Sequence, residues 1–467
     1  MFRSISLRTR LTGAIAAATL AITPVAALAE SLGDALVSAY RNSSLLDQNR
    51  AVLRAADEDV ASAIAALRPV VKWAASHSYT NIEGGIDQRS TSLQFQAQMT
   101  LYDFGRSQLA IDIAKETVLA TREELIGIEQ DVLLGAVKAY LDVISAAEQV
   151  DLQQNSVRVI GQEQRASRDR FEVGEITVTD VSQADARLAA TRAALVAAQG
   201  RLEVANEAYK AAVGHKPGKL SGAPKAPKAP PSLAEAQRIA QRTHPVIRQL
   251  QRQVTASELA VAAAAAERNP TIGATAGIGG TRAPVRELGG AYKTTGTAQI
   301  GIEMSQTLYS GGRLPAVHRK AMAQRDSARA ALLHAGKQVA QAVGTAWANI
   351  DVARAQIKAI NQQISAAQQA YDGVREEATL GARTTLDVLD AEQELLSARA
   401  DKISAQTNLQ LANYQLLAAM GLLTVENLKL GVPQYDPSAY YNAVRNAPYT
   451  SRQGESLDRV LRAIGKN

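Results

Sequence analysis

The chain is a tandem duplication, and no other feature of the sequence restricts its possible folds as strongly. The motif LYDFGR at 101–106 recurs as LYSGGR at 308–313, an offset of 207 residues. Self-similarity at a fixed offset marks a repeated structural unit. We therefore predict two copies of one unit, 30–214 and 232–421. Without a gap, the same offset carries Tyr140 onto Trp347, Gly174 onto Gly381, Asp180 onto Asp387, and AAVG (211–214) onto AAMG (418–421).

Residues 1–29 have the pattern of a secretory signal peptide. Arg3, Arg8 and Arg10 precede an apolar, Ala-rich run, and Ala27-Leu28-Ala29 is a small-x-small cleavage site. Removing these three arginines and no acid lowers the formal net charge from +6 to +3. That charge is too mild to indicate nucleic-acid binding. We therefore expect an exported chain with no nucleic-acid partner.

The residues that support metal or thiol chemistry are scarce. The sequence has no cysteine, which excludes disulfides, thiol catalysis and Cys-based metal sites. Its five histidines lack the paired spacing of a transition-metal site. Nucleophile-elbow, zinc-protease and phosphate-loop motifs are absent. We expect no catalytic residue, no metal and no cofactor, and hence no enzyme.

Each copy contains two predicted strands, at about 70–104 and about 271–310. The second strand of each pair alternates apolar and polar residues, which gives it one apolar and one polar face. Its length of about 9–11 residues is that of a strand crossing a membrane. A strand of a soluble sandwich has the same alternation, so the neighbouring elements must decide between the two. In the first copy, Leu93, Phe95, Ala97, Met99 and Leu101 alternate with Gln94, Gln96, Gln98, Thr100 and Tyr102.

The neighbouring elements are predicted to be helices too long for a sandwich. Each copy begins with a helix, over 31–67 in the first copy, and ends with a long helical hairpin, 106–214 or 313–421. Residues 106–173 contain no proline, and at 1.5 Å per residue they would make a rod of roughly 100 Å. The returning helix has a heptad seam with large residues at one position and small residues at the other. The seam comprises Val181, Leu188, Leu195, Leu202 and Tyr209 with Ala184, Thr191, Ala198, Ala205 and Ala212.

The two remaining segments lack helical or strand periodicity. The Pro/Lys-rich stretch 215–231 is predicted to be an extended linker between the copies. Residues 422–467 are predicted to form a C-terminal accessory segment, partly disordered, with one short helix over 456–465.

The number of strands constrains the assembly. Four membrane strands leave two edges whose backbone groups lipid cannot satisfy. Three chains supply twelve strands, an even number that can close into a barrel. Tyr102, Phe104 and Tyr309 stand where strand meets helix, as an interfacial aromatic belt requires. The predicted fold is an α+β membrane protein in which a trimeric twelve-stranded β-barrel continues into a long α-helical coiled-coil barrel.

At this point the residues resemble a known family, the TolC-type outer-membrane efflux and secretion channels. The resemblance covers 31–428 and is carried by the repeat, LYDFGR/LYSGGR and the segment GARTTLDVLDAEQELLSAR (381–399). It implies a homotrimer in the bacterial outer membrane that extends into the periplasm. It also implies that the hairpin tips close the periplasmic end of the channel. A periplasmic adaptor (membrane fusion) protein and an inner-membrane transporter, ABC-type or proton-driven, would open them for type I protein secretion or multidrug efflux.

The resemblance also implies roles for residues at the hairpin tips. Asp387 and Asp390 match the family's aperture ring, and Arg383 matches a closing link whose acidic partner is Asp180, beside Thr179. The Tyr usually found five residues before that Arg is Ala378 here, so one closing link lacks its residue. The tips that face the adaptor would comprise Gly174, Glu175, Gly381 and Ala382.

The physical case for the aperture ring leaves an alternative open. Asp387 and Asp390 are three residues apart and share one helical face. In a trimer, six crowded carboxylates would raise some of their own pKa values and select cations. An aspartate in the first helical turn is equally expected to cap the helix. Gly174 and Gly381 are expected to be turn residues with positive φ.

Two other functions compete with a channel. A periplasmic adaptor also carries a coiled-coil hairpin, but it lacks the alternating strands and this duplication. A structural coiled-coil protein would have the heptad seam without any conductance.

Overall fold

The computed structural model describes residues 29–444, except 82, 84–87, 223, 225, 226, 228, 286–290 and 434. The signal peptide and the helix predicted over 456–465 therefore lie outside the described residues. Among the described helices, not one is long and apolar enough to cross a bilayer. The described chain is mostly helical, with one antiparallel sheet of four strands, so the predicted combination of strands and long helices is confirmed.

The two copies contain the same elements in the same order. The first copy comprises α1 (Leu32–Asn42), α2 (Ser44–Ala65), β1 (Val70–Thr80), β2 (Gln88–Tyr102), α3 (Arg106–Glu172) and α4 (Val178–Val213). The second comprises α5 (Leu233–Thr243), α6 (Pro245–Ala266), β3 (Thr271–Pro284), β4 (Tyr292–Ser305), α7 (Arg313–Thr379) and α8 (Thr385–Ala419). A last helix, α9, spans Pro437–Val444.

The opening helix of each copy is divided in two, which the periodicity over 31–67 does not indicate. In the first copy the break falls at Ser43, whose backbone is extended and whose hydroxyl accepts from the Leu46 amide. In the second copy it falls at His244, because Pro245 lacks an N–H and disfavours a helical residue before it. Each break packs against the end of its own hairpin, so the division positions the hairpin.

The sheet has the order β1-β2-β3-β4, and both β1 and β4 are edges. Its register places residues of different strands in rows that share a face. One row joins Trp73, Phe95, Ile278 and Ala298, and the next joins Lys72, Gln96, Gly277 and Gln299. We call the first kind the apolar face and the second the polar face. The apolar face also contains Val71, Leu93, Ala97, Ala276, Ile300 and Ile302.

The helical hairpins pack along the predicted seam. The small seam positions Ala184, Ala198 and Ala205 are buried, which lets the helix backbones approach closely. The largest core cluster surrounds Tyr140 and Tyr209, both fully buried where α1, α3 and α4 meet. Their hydroxyls donate to Glu30, at 3.1 Å to its carbonyl and 2.6 Å to its carboxylate.

The C-terminal segment packs against the first copy. The guanidinium of Arg50 lies between the rings of Tyr40 and Tyr435, at 5.2 and 5.4 Å from their centroids. The Tyr440 hydroxyl donates to Glu58 of α2 at 2.6 Å. Residues 435–444 therefore form a layer over α2.

Three pairs of described glycines with positive φ are related by the offset of 207 residues. Gly174 and Gly381 have φ values of 80° and 77°, and Gly214 and Gly421 have 100° and 75°. The duplicated unit therefore keeps its backbone turns even where its side chains have diverged. The turn at Gly421 is also crowded, because a Cβ there would lie 2.7 Å from His244 Cα and 2.7 Å from the Thr243 carbonyl oxygen.

We predict that Gly421→Ala destabilises the helical part of the protein by about 2–4 kcal/mol, because left-handed strain adds to a backbone clash. Gly312→Ala is the matched control, since its φ is 89° but a Cβ there would have no neighbour within 4 Å. The control should lose only about 1–2 kcal/mol. Thermal unfolding followed by far-ultraviolet circular dichroism measures the loss of stability in both variants. Equal losses would contradict the packing of the helix break at His244 against the end of α8.

Candidate functional site

The two hairpin tips have the same backbone structure. Each returns through a Schellman turn, in which an amide beyond the helix donates back to a carbonyl five residues earlier. Glu175 N–H donates to the Arg170 carbonyl at 2.9 Å, and Ala382 N–H donates to the Glu377 carbonyl at 2.9 Å. Gly174 and Gly381 occupy the left-handed position of this turn. All four predicted tip residues are exposed.

The aspartates Asp180 and Asp387 cap the returning helices. Thr384 N–H donates to Asp387 Oδ2 at 3.0 Å, and the Asp387 amide donates to Thr384 Oγ1 at 3.2 Å. Thr177 and Asp180 form the same capping box in the first copy. The hydrogen bonds from Thr384 hold the pKa of Asp387 below its ordinary value. Asp387 therefore caps α8, as the alternative interpretation expects, and its side chain remains at the tip surface.

Asp390, the second predicted ring residue, forms an ion pair that the sequence analysis did not anticipate. Arg187 Nη2 of α4 donates to its Oδ1. The Asp390 side chain is 61% exposed and the Arg187 side chain 29% exposed. The pair joins the returning helices of the two copies and leaves one edge of the carboxylate facing solvent.

Arg383 and Asp180 are not brought together within one chain. Arg383 Nε donates to Glu377 Oε2 at 2.8 Å, on the same hairpin. Hydrogen bonding to Glu377 raises the pKa of the Arg383 guanidinium. The Asp180 carboxylate accepts from Thr177, while Thr179 is exposed beside it on α4. Within the described chain, Arg383 and Asp180 therefore have other partners and the predicted link between them is not formed.

Ala378 is linked through its backbone instead of a side chain. It is buried, and Arg170 Nη1 of α3 donates to its carbonyl oxygen at 3.2 Å. Arg170 thus ties the end of α3 to the end of α7. The contact therefore joins the two hairpins at Ala378, the position where the sequence predicts that one closing link lacks its residue.

Two further polar contacts join the hairpins above the tips. Ser156 Oγ of α3 donates to Glu392 Oε1 of α8 at 3.0 Å, and Arg375 Nε of α7 lies 3.3 Å from Glu163 Oε1 of α3. Glu392 is only 9% exposed, and burial raises its pKa. The only sequence signal for Glu392 is its position four residues after Val388, the counterpart of the seam residue Val181, on the same side of α8.

The tips therefore carry charged side chains whose contacts link the two hairpins. In the part of the chain that the structure describes, no group of three or more His, Cys, Asp or Glu side chains could hold a metal ion. The polar contacts instead connect one hairpin to the other. Movement of one hairpin relative to the other would break the contacts of Arg170, Arg187, Glu392 and Arg375.

Comparison with known proteins identifies close relatives. The family model described as outer membrane efflux protein matches residues 35–215 and 237–422, one match in each copy. The outer membrane efflux protein BepC of Brucella suis is 36% identical over 431 residues, covering 91% of this chain and 92% of the relative. The outer membrane protein TolC of Escherichia coli is 25% identical over 453 residues, covering 92% and 90%.

A solved structure shares the fold. The crystal structure of the CmeC outer membrane channel of Campylobacter jejuni superposes with a TM-score of 0.73 and covers 89% of each chain. Its sequence identity is 15%, so this similarity is evidence for the fold alone.

We predict that Glu392→Gln stabilises the packing of α8 on α3 at neutral pH, on the order of 1 kcal/mol, the scale of one buried polar group. Because the folded-state pKa of Glu392 is raised, the wild type should lose stability as pH rises from the ordinary value through the raised one. The Gln variant should lack this pH dependence. Hydrogen-exchange protection of the backbone amides of 388–398 measures this pH dependence. Glu394→Gln, at an exposed position, is the control. A pH dependence that persists in Glu392→Gln would contradict the assignment.

Proposed function

The chain belongs to the outer membrane efflux protein family, and from this premise we propose that it is the outer-membrane exit duct of a tripartite export system. The observation that carries the proposal is the match of the family model to both copies, each of which joins membrane-type strands to a long helical hairpin. The duct is passive and opens at its periplasmic end. Neither an adaptor nor a structural coiled-coil protein accounts for the duplicated strands.

The proposed assembly is a homotrimer. Strands β1 and β4 are both edges, and lipid cannot satisfy the hydrogen-bonding groups of an edge strand. Pairing β4 of one chain with β1 of the next, three times, closes a barrel of twelve strands. The apolar face then contacts the lipid of the outer membrane, and the polar face with its Gln and Thr side chains lines the lumen.

The helices place the hairpin tips far from the membrane. At 1.5 Å per residue, the 67 residues of α3 span about 100 Å from the strand junction to the tip. In the proposed assembly this length extends into the periplasm. The exposed tip residues Gly174, Glu175, Gly381 and Ala382 are the surface that a periplasmic adaptor would contact. The adaptor would couple the duct to an inner-membrane transporter that supplies the energy.

The aperture is proposed to be lined by Asp387 and Asp390 of the second copy. They lie on one face in the first turns of α8, and neither is fully enclosed by its partner. Arg187 offsets part of the charge of Asp390, so Asp387 contributes the more persistent negative charge. A ring of carboxylates at a narrow mouth concentrates cations there.

Two kinds of link are proposed to hold the aperture closed. Arg187–Asp390 acts within one chain, across the two copies. Arg383 and Asp180, with Thr179 beside it, act between neighbouring chains, because within a chain Arg383 is held by Glu377 and Asp180 by Thr177. Docking of the adaptor and pump would separate the hairpins and break both the links within a chain and the links between chains.

We predict that Asp387→Ala with Asp390→Ala abolishes the cation preference of the channel and its block by multivalent cations, because the ring loses its carboxylates. Ion selectivity measured in planar bilayers tests this. Asp372→Ala with Asp401→Ala is the charge-matched control, since both are exposed acids of the second hairpin outside the tip turn. Heat-resistant trimers should form in both variants, and an unchanged selectivity without Asp387 and Asp390 would contradict the ring.

We predict that Arg187→Gln raises the conductance several-fold and also strengthens cation selectivity, because it removes a link and leaves Asp390 unpaired. Arg192→Gln is the matched control: Arg192 is an exposed arginine of the same helix. Arg383→Ser with Asp180→Ser should also raise conductance, and it leaves the Arg187 pair intact. Conductances equal to that of the control would contradict the links.

A further inference from the structure

The apolar face of the sheet has a shallow groove near its loop end, where lipid-facing side chains are missing. We propose that this groove binds an acyl chain of a phosphorylated lipid in the outer leaflet, and that Arg89 and Arg282 bind its phosphate. The inference rests on the location of the sheet in the membrane and is independent of how the hairpin tips are gated.

The groove exists because two glycines face lipid side by side. Gly280 of β3 pairs with Gly296 of β4, and a Cβ on Gly280 would meet no atom within 4 Å. Leu93, Phe95 and Ile278 line the groove beside the two glycines. Its volume is about 510 Å³, and its lining includes Leu93, Phe95, Ile278, Gly280, Gly296 and Ala298. Flexible hydrocarbon is the only material that a bilayer offers to fill an apolar space of this shape.

Two arginines stand directly beyond the groove on the same face. Arg282 pairs with Thr91, and Arg89 lies two residues from Thr91 on the same side of β2. Such diagonal neighbours have Cα atoms about 7–8 Å apart. At this spacing, two long side chains can both contact the same phosphate. Arginine suits this ligand because its planar fork of N–H groups matches phosphate oxygens.

Each arginine is oriented by an aromatic ring. Arg89 Cζ lies 5.5 Å from the centroid of the Tyr79 ring, and Arg282 Cζ lies 5.9 Å from that of Tyr292. Stacking restricts the guanidinium and leaves its N–H edge available for further hydrogen bonds. Tyr79 lies on β1 and Tyr292 on β4, so each guanidinium stacks on the side away from the other arginine and would turn inward to share one phosphate.

The depth of the arginines fits a lipid headgroup. Both helical hairpins leave the opposite end of the sheet, so the loop end faces the outer leaflet. The last apolar row, Leu93–Gly280–Gly296, is followed at once by the row Thr91–Arg282–Thr294. Arginine on a lipid-facing strand is costly at mid-membrane and nearly free at the interface. A lipid held here would have its chain beside Gly280 and its phosphate one row above.

The test uses the quenching of Trp73, which lies on the apolar face in the same row as Phe95. The chain has two tryptophans, so Trp347→Phe leaves Trp73 as the only indole. Trimers in phosphatidylcholine vesicles receive brominated phosphatidic acid or brominated phosphatidylcholine with identical chains. We expect the phosphatidic acid to bind about tenfold more tightly, the factor of one charge-assisted hydrogen bond.

Three variants separate the parts of the site. Arg89→Gln with Arg282→Gln should erase the headgroup preference, whereas Lys72→Gln with Lys293→Gln, on the polar face, should retain it. Gly280→Leu fills the groove and should weaken quenching by phosphatidic acid with both arginines present. Heat-resistant trimers report folding in every variant.

Several results would overturn the proposal. Equal quenching by the two headgroups in the parent trimer would show ordinary boundary lipid. Loss of the headgroup preference in the lysine variant would place the phosphate-binding site on the polar face, in the lumen. Undiminished binding in Gly280→Leu would exclude the groove, and association of trimers through this face would show that protein covers it.

Discussion

The unsatisfied edges of the four-stranded sheet are the constraint on which the rest of the structure depends. In a bilayer every backbone N–H and C=O must find a protein partner, and β1 and β4 each present a row without one in the single chain. Pairing β4 of one chain with β1 of the next satisfies both edges at once. The same closure fixes the position of the helices, because each hairpin starts directly after a strand and must follow the ring that the strands define.

The duplication gives the two hairpin tips the same backbone turns, although their side chains have different proposed roles. Both tips have a Schellman turn and a Thr–Asp capping box, related by the same offset. Their side chains have diverged: Asp390 occurs only in the second copy, and its partner Arg187 only in the first. Within each chain the proposed ring and its counter-charge therefore come from different copies.

The sequence alone predicted the structure wherever a local pattern of residues corresponds to a local structure. Alternation of Leu93 and Phe95 with glutamines predicted the two faces of β2, and the offset of 207 residues predicted the duplication. The division of the first helix at Ser43 escaped detection because its serine cap interrupts the helix without changing the apolar periodicity. Contacts between distant residues left no local pattern: Arg187 and Asp390 are 203 positions apart, and Ser156 and Glu392 are 236. The role of Asp387 was ambiguous for a different reason, since a carboxylate in a first helical turn can cap and line an aperture at once.

The central claim is that this chain forms a duct closed at its helical tips by charged side chains. Single-channel recording of the purified, unmodified protein in a planar bilayer tests it most directly, with a trivalent cation added to one side at a time. The account predicts a small, cation-selective conductance that is blocked from the side of the helical tips and not from the side of the strand loops. A large, unselective conductance, or block of equal strength from both sides, would contradict it.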